Sequence, residues 1–291
     1  MNSSIRLKQT IIIGAILLLV AFLFTRDIKG LVKPTEENGK MPAAGQIAQQ
    51  GVPSTSGLTI EQTSTAAKNV INQSLAKDIT NLENSFKGAK GDEKVEFAQQ
   101  LAQKWDDVEQ ITPSALYLEV VAEAKPSTAS WLASGNKFLK AFESTQDSLA
   151  QPALLQKANV SFKKALELDK ENIDAKTGLG VTIVNGLGAP MQGIAMLLEV
   201  VAKESKNVKA NMNLGLFSIK SGQFDKAIPR FNTVITTAPT PEAYFYLATA
   251  LENLDKNKEA VEAYLKSKKL AANPTLSSFI DKKVAELKNK N

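Results

Sequence analysis

No histidine and no cysteine occur among the 291 residues, so the side chains that most often move protons, bind metals or attack carbonyls at neutral pH are missing. Disulfides, thiolate nucleophiles, cysteine-ligated metals and a lipid-modified cysteine are excluded with them. The carboxylate pairs Asp106-Asp107 and Glu36-Glu37 are neighbours in sequence, so on a helix or loop their side chains diverge and form no catalytic dyad. Gly178-Leu179-Gly180 lacks the following Lys-Ser or Lys-Thr of a phosphate loop and is better explained by close helix packing. Nothing converges on acid–base work, and the expected content is no catalytic residue, no cofactor and no metal. The net charge of +5 comes from dispersed lysines, densest at the C-terminal end with Lys266, Lys268, Lys269, Lys282, Lys283, Lys288 and Lys290. These suit a solvated capping surface, and nucleic acid is not expected as a partner.

The chemistry left is that of binding, and a repeat supplies the elements to position it. Phe162, Leu197, Phe231 and Tyr264 follow one another at steps of 35, 34 and 33 residues. Ala158, Gly193, Ala227 and Ala260 keep the same step four positions earlier, and Leu179-Gly180, Leu214-Gly215 and Leu247-Ala248 keep it upstream. A period near 34 predicts stacked antiparallel helix pairs, with small residues where helices cross closely and large ones in the holes between them.

In the clearest unit, Val208 to Pro239, the string NLGLFSIKSGQFDKAIPRF resembles the tetratricopeptide repeat (TPR) family. Leu214, Gly215, Gly222, Ala227 and Phe231 fall on that family's consensus positions, and Pro239 stands where a closing proline is usual. The chain as a whole also looks like bacterial membrane-anchored TPR proteins. The resemblance implies an all-α solenoid of four or five helix pairs. TPR repeats are expected over 127–274, a degenerate TPR-like unit over 92–126 and a capping helix over 275–291. The connection before Gln151 is longer than the family norm.

The N-terminus predicts an anchor. After a tail at 1–9, residues 10–26 read as a transmembrane signal-anchor helix around IIIGAILLLVAFLF, whose 17 uncharged residues between Lys8 and Arg26 reach roughly 25 Å. Cleavage is disfavoured because Phe24 is followed by Thr25-Arg26-Asp27 without a small-x-small site. The short tail places the N-terminus in the cytoplasm and the repeats outside the inner membrane. Residues 27–62, rich in Gly, Pro, Ser, Thr and Gln, read as a flexible linker. Residues 63–91 read as one amphipathic helix with an apolar stripe (Ala67, Ile71, Leu75, Ile79, Leu82, Phe86) and Glu83 off it. That stripe either packs on the first repeat or makes a homodimer through 67–86.

In TPR proteins the first helix of each pair lines the inner face, where ligands are commonly extended peptides or partner helices. Carried over position by position, this implies a groove of Leu132, Asn136 and Lys140; Thr177, Val181 and Asn185; Lys209, Met212, Leu216, Ile219 and Lys220; and Phe245 with Thr249. The chaperone-type carboxylate clamp of the family does not carry over, because Leu132 stands where its first lysine belongs. The function expected is a non-catalytic, membrane-tethered adaptor that binds a peptide or helix of an envelope protein. The alternatives are a factor of the cytochrome c maturation type holding an unfolded client, or a self-associating structural membrane protein.

Overall fold

Several helix starts are set by Asn, Ser or Thr placed three residues ahead of a residue whose backbone N–H would otherwise lack an acceptor. Asn172 accepts from Ala175 N at 2.9 Å, Asn207 from Ala210 N at 2.9 Å and Thr240 from Ala243 N at 3.1 Å. These caps recur with the repeat, and each of the three alanines is fully buried.

A computed structural model describes residues 58–186 and 190–289. The predicted tail, membrane helix and most of the linker lie outside the described residues. Among the described residues there are 13 helices and no strand, and no helix there is long and apolar enough to cross a membrane. Two helices, α1 (Ile60–Lys68) and α2 (Gln73–Gly88), precede five pairs. The pairs are α3 (Gly91–Asp107) with α4 (Ile111–Ala124), α5 (Thr128–Ser144) with α6 (Gln151–Leu168), α7 (Ile173–Val184) with α8 (Pro190–Lys203), α9 (Val208–Lys220) with α10 (Phe224–Thr237), and α11 (Pro241–Glu252) with α12 (Asn257–Leu270). A single helix, α13 (Pro274–Asn289), follows.

Three of the within-pair turns are the same structure. Glu109, Gly222 and Asp255 all have positive φ, near 57°, 71° and 56°. The next residue donates back five positions in each: Gln110 N to Trp105 O at 2.9 Å, Gln223 N to Ser218 O at 2.8 Å, and Lys256 N to Leu251 O at 3.0 Å. This double closure of a helix end satisfies carbonyls that would otherwise be orphaned. The α3–α4 pair therefore turns as the pairs after it do, although its first helix lacks the Leu-Gly signature.

Packing within and between pairs depends on missing side chains. The Phe162 ring lies between α5 and α7, where a Cβ on Gly135 would come within 2.9 Å of it and one on Gly178 within 2.3 Å. Phe231 stands against Gly215 in the same way, at 2.7 Å. Both rings are fully buried, each contributing on the order of 1.5–3 kcal/mol of transfer free energy.

At the N-terminal end the structure corrects two expectations. The chain is already ordered before residue 63: Leu58 is buried in the core and α1 begins at Ile60. Residues 63–91 are two helices, because Asn72 turns its side chain onto Ser74 N at 2.8 Å and caps α2, a local bond that competes with continuing the helix. The apolar stripe proposed for a homodimer is covered by α3 and α4: Ala67 and Ile79 are buried, and Ile71, Leu82 and Phe86 pack with Val95, Leu101, Trp105 and Tyr117. Leu75 alone of the stripe stays largely open, at 43%. Glu83, expected off the stripe, is buried and accepts from Ser64, from Lys68 at 2.7 Å and from Tyr117 at 3.2 Å, tying α1, α2 and α4 together. Burial and this carboxylate push the Tyr117 hydroxyl well above the usual tyrosine range.

At the other end, α13 repeats the start of a pair without completing one. Asn273 accepts from Leu276 N at 3.1 Å, and the Asn273-Pro274 step copies Thr240-Pro241. Ile280, Val284 and Leu287 are buried, while the far side of the helix presents Lys282 and Glu286 to solvent. A polar outer face on the last helix closes the apolar stack.

Candidate peptide-binding groove

The first helices α5, α7, α9 and α11 pack directly on one another in that order, so their shared side is one continuous inner face. Its C-terminal half is apolar and partly open. Met212, Leu216 and Ile219 of α9 and Phe245 of α11 are half-buried against a core that includes Ala248, Leu251 and Tyr264. Phe245 makes edge contacts with Tyr246 and Tyr264, ring centres 5.6 Å apart in each case. It also meets Phe279 of α13 at 5.9 Å. Phe279 is 46% exposed and was not among the expected groove residues. Its signal was present in the Asn273-Pro274 start, which puts α13 in register with the helices that line the inner face. Lys220 is exposed beside this row, its ammonium 5.7 Å from the Phe217 ring. Thr249 is half-buried and donates to Phe245 O at 3.0 Å.

The N-terminal half differs. Asn136 and Lys140 are exposed, and Leu132 is half-buried in the core between α5 and its neighbours. Thr177 and Val181, expected to line the groove, are only 1% and 0% exposed. They are packing residues in this structure, enclosed as α7 is flanked by α5 and α9. Asn185 turns back onto its own helix, donating to Val181 O at 2.9 Å. Lys209 leaves α9 and donates to Asn136 Oδ1 at 2.8 Å.

Charge is sparse and crowded at this closed end. Desolvation holds the Lys209 ammonium below the usual lysine range, with Glu143 and Asp174 pulling it back up. Burial pushes the Glu143 carboxyl up, Lys209 opposes, and Glu242 adds to the rise. Burial also raises Tyr246, helped by Glu242. Among the described residues no cluster of three or more acidic side chains could hold a metal ion. The arrangement can bury apolar side chains on Met, Leu, Ile and Phe and hydrogen-bond polar groups at its edges.

Residues 241–274, which are α11, α12 and the first residue of α13, match the tetratricopeptide repeat family. No curated protein matches the chain in sequence. Among solved structures the chain is similar to YrrB, described as a TPR protein with an unusual peptide-binding site: the two are 19% identical, with 64% of this chain and 91% of that one covered, at a TM-score of 0.42. It is also similar to MamA from Desulfovibrio magneticus RS-1, with 20% identity, 62% and 97% coverage and a TM-score of 0.46. A further MamA protein gives 22% identity, 61% and 91% coverage and a TM-score of 0.44.

Proposed function

We propose that this protein is a non-catalytic adaptor that binds an apolar or aromatic segment of a partner protein along the C-terminal half of its inner face. The observation that carries the reading is the half-buried row Met212, Leu216, Ile219 and Phe245, continued by Phe279 from the last helix. An isolated exposed Phe needs no explanation, but one that extends a partly open apolar row on a concave surface has a use. The groove offers few fixed polar contacts, so side-chain burial would supply most of the affinity.

Residues 10–26 would hold the adaptor at the inner membrane, with the repeats on the outer side and the chain from 27 up to Leu58 as tether. The support is the uncharged apolar run itself. Tethering would raise the local concentration of the groove near membrane-bound clients without any new contact. In-cell crosslinking of the full-length protein beside a Phe279→Glu variant tests the reading. A partner captured by the wild type, lost by the variant and bound by the purified protein in a peptide titration supports groove binding. Equal capture by a variant that melts like the wild type refutes it.

A further inference from the structure

The inner face is open along α9, α11 and α13 and shut over α7, and a side-chain bond joins the two first helices that flank the shut part. Lys209 begins on α9, yet its ammonium bonds Asn136 of α5 at 2.8 Å, a residue 73 positions away. The same ammonium stands 5.7 Å from the centre of the Phe162 ring. That ring is held between Gly135 of α5 and Gly178 of α7, so the lysine has crossed α7 to reach the seam beyond it. Thr177 and Val181 sit on the helix it crosses, at register positions that would otherwise line the groove.

We propose that Lys209 is a strap: hydrogen-bonded to Asn136 it closes the inner face over α7, and released it exposes Thr177 and Val181 and lengthens the groove by one repeat. The hold is light. Its hydrogen-bond acceptor is a neutral amide, the Glu143 and Asp174 carboxylates attract it without a hydrogen bond, and the ring lies near the outer limit of an effective cation–π distance. The ammonium is also partly desolvated, so letting go returns hydration to it. Asn136 is exposed, which leaves a partner's own polar group free to compete for either end of the bond. Use of the lengthened groove rests on the peptide-binding reading; the opening itself does not.

The absence of cysteine makes the opening directly measurable. A Val181→Cys probe in the full-length protein should react slowly with dithionitrobenzoate. Either Asn136→Ala or Lys209→Met should accelerate it at least about tenfold, as loss of one charged hydrogen bond allows. A Val200→Cys probe, also fully buried but on α8, should keep its rate in both variants. An unchanged Val181→Cys rate in either variant, or equal acceleration at both probes, overturns the strap. No peptide enters this assay, so its outcome is independent of the crosslinking result.

Discussion

A methyl group at Gly178 is the most severe small test of the repeat packing. An ideal Cβ there would lie 2.3 Å from the Phe162 ring, so ring and helix must separate by about 1 Å to reach ordinary contact. The ring has little room to move, because Gly135 also stands close to it, a Cβ there meeting it at 2.9 Å, and it is fully buried. Alanine gains about 1 kcal/mol over glycine in helix propensity, while overpacking a close helix crossing costs up to about 3 kcal/mol. The net expectation is a loss of about 2 kcal/mol, or roughly 4–8 °C in the melting midpoint of an array this long. Far-UV circular dichroism melts of Gly178→Ala would read it. Gly88→Ala serves as the control, since a Cβ there meets nothing within 4 Å and the midpoint should not fall. Adding Phe162→Leu to Gly178→Ala should cost less than the sum of the two single changes, because the smaller side chain leaves room for the methyl. A Gly178→Ala protein that melts at or above the wild type would refute the claim that this glycine exists to admit the ring.

Four other outcomes follow from the same geometry. Phe279→Glu should abolish partner capture and leave the melt almost unchanged, whereas Leu216→Glu should lower the melt as well, because Leu216 also packs on the core. Glu83→Ala should destabilise by about 1–3 kcal/mol in urea unfolding, because Ser64, Lys68 and Tyr117 lose a shared acceptor; hydrogen exchange should rise first in α1 and α2. Ile280→Ala should cost about 2–5 kcal/mol by leaving a cavity under the last helix, read by the same urea titration. Burial raises the Glu119 carboxyl above its ordinary value despite its ion pair with Lys157. The folded state therefore holds that proton more tightly, and the stability it contributes is full below pH 4.5 and is lost as pH rises through the raised value. Glu119→Gln should gain stability relative to the wild type between pH 4 and pH 7, and a constant difference across that range would show the sign to be wrong.

What could be read in advance separates along a physical line. The helix pairs were legible because each repeats the same local demands: a cap, a small residue at the crossing, a large one in the hole. The row Met212, Leu216, Ile219 and Phe245 was legible for the same reason, since a residue's face follows from its place in its own helix. Thr177 and Val181 obey that rule and still come out buried, because α5 and α9 flank α7 closely and Val181 joins the core there. Glu83 was misplaced for a related reason: its acceptors' demand is met by Ser64 and Tyr117, which no local pattern ties to it. The break at Asn69 to Asn72 and the role of Phe279 were readable in principle, the first from asparagine's preference for caps and the second from Asn273-Pro274 repeating Thr240-Pro241. Which face a side chain occupies is thus a property of the repeat, whereas how much of that face is open is a property of the superhelix. With Lys209 as the proposed strap, a partner that displaced it would change the length of the groove without any change in the residues assigned to it.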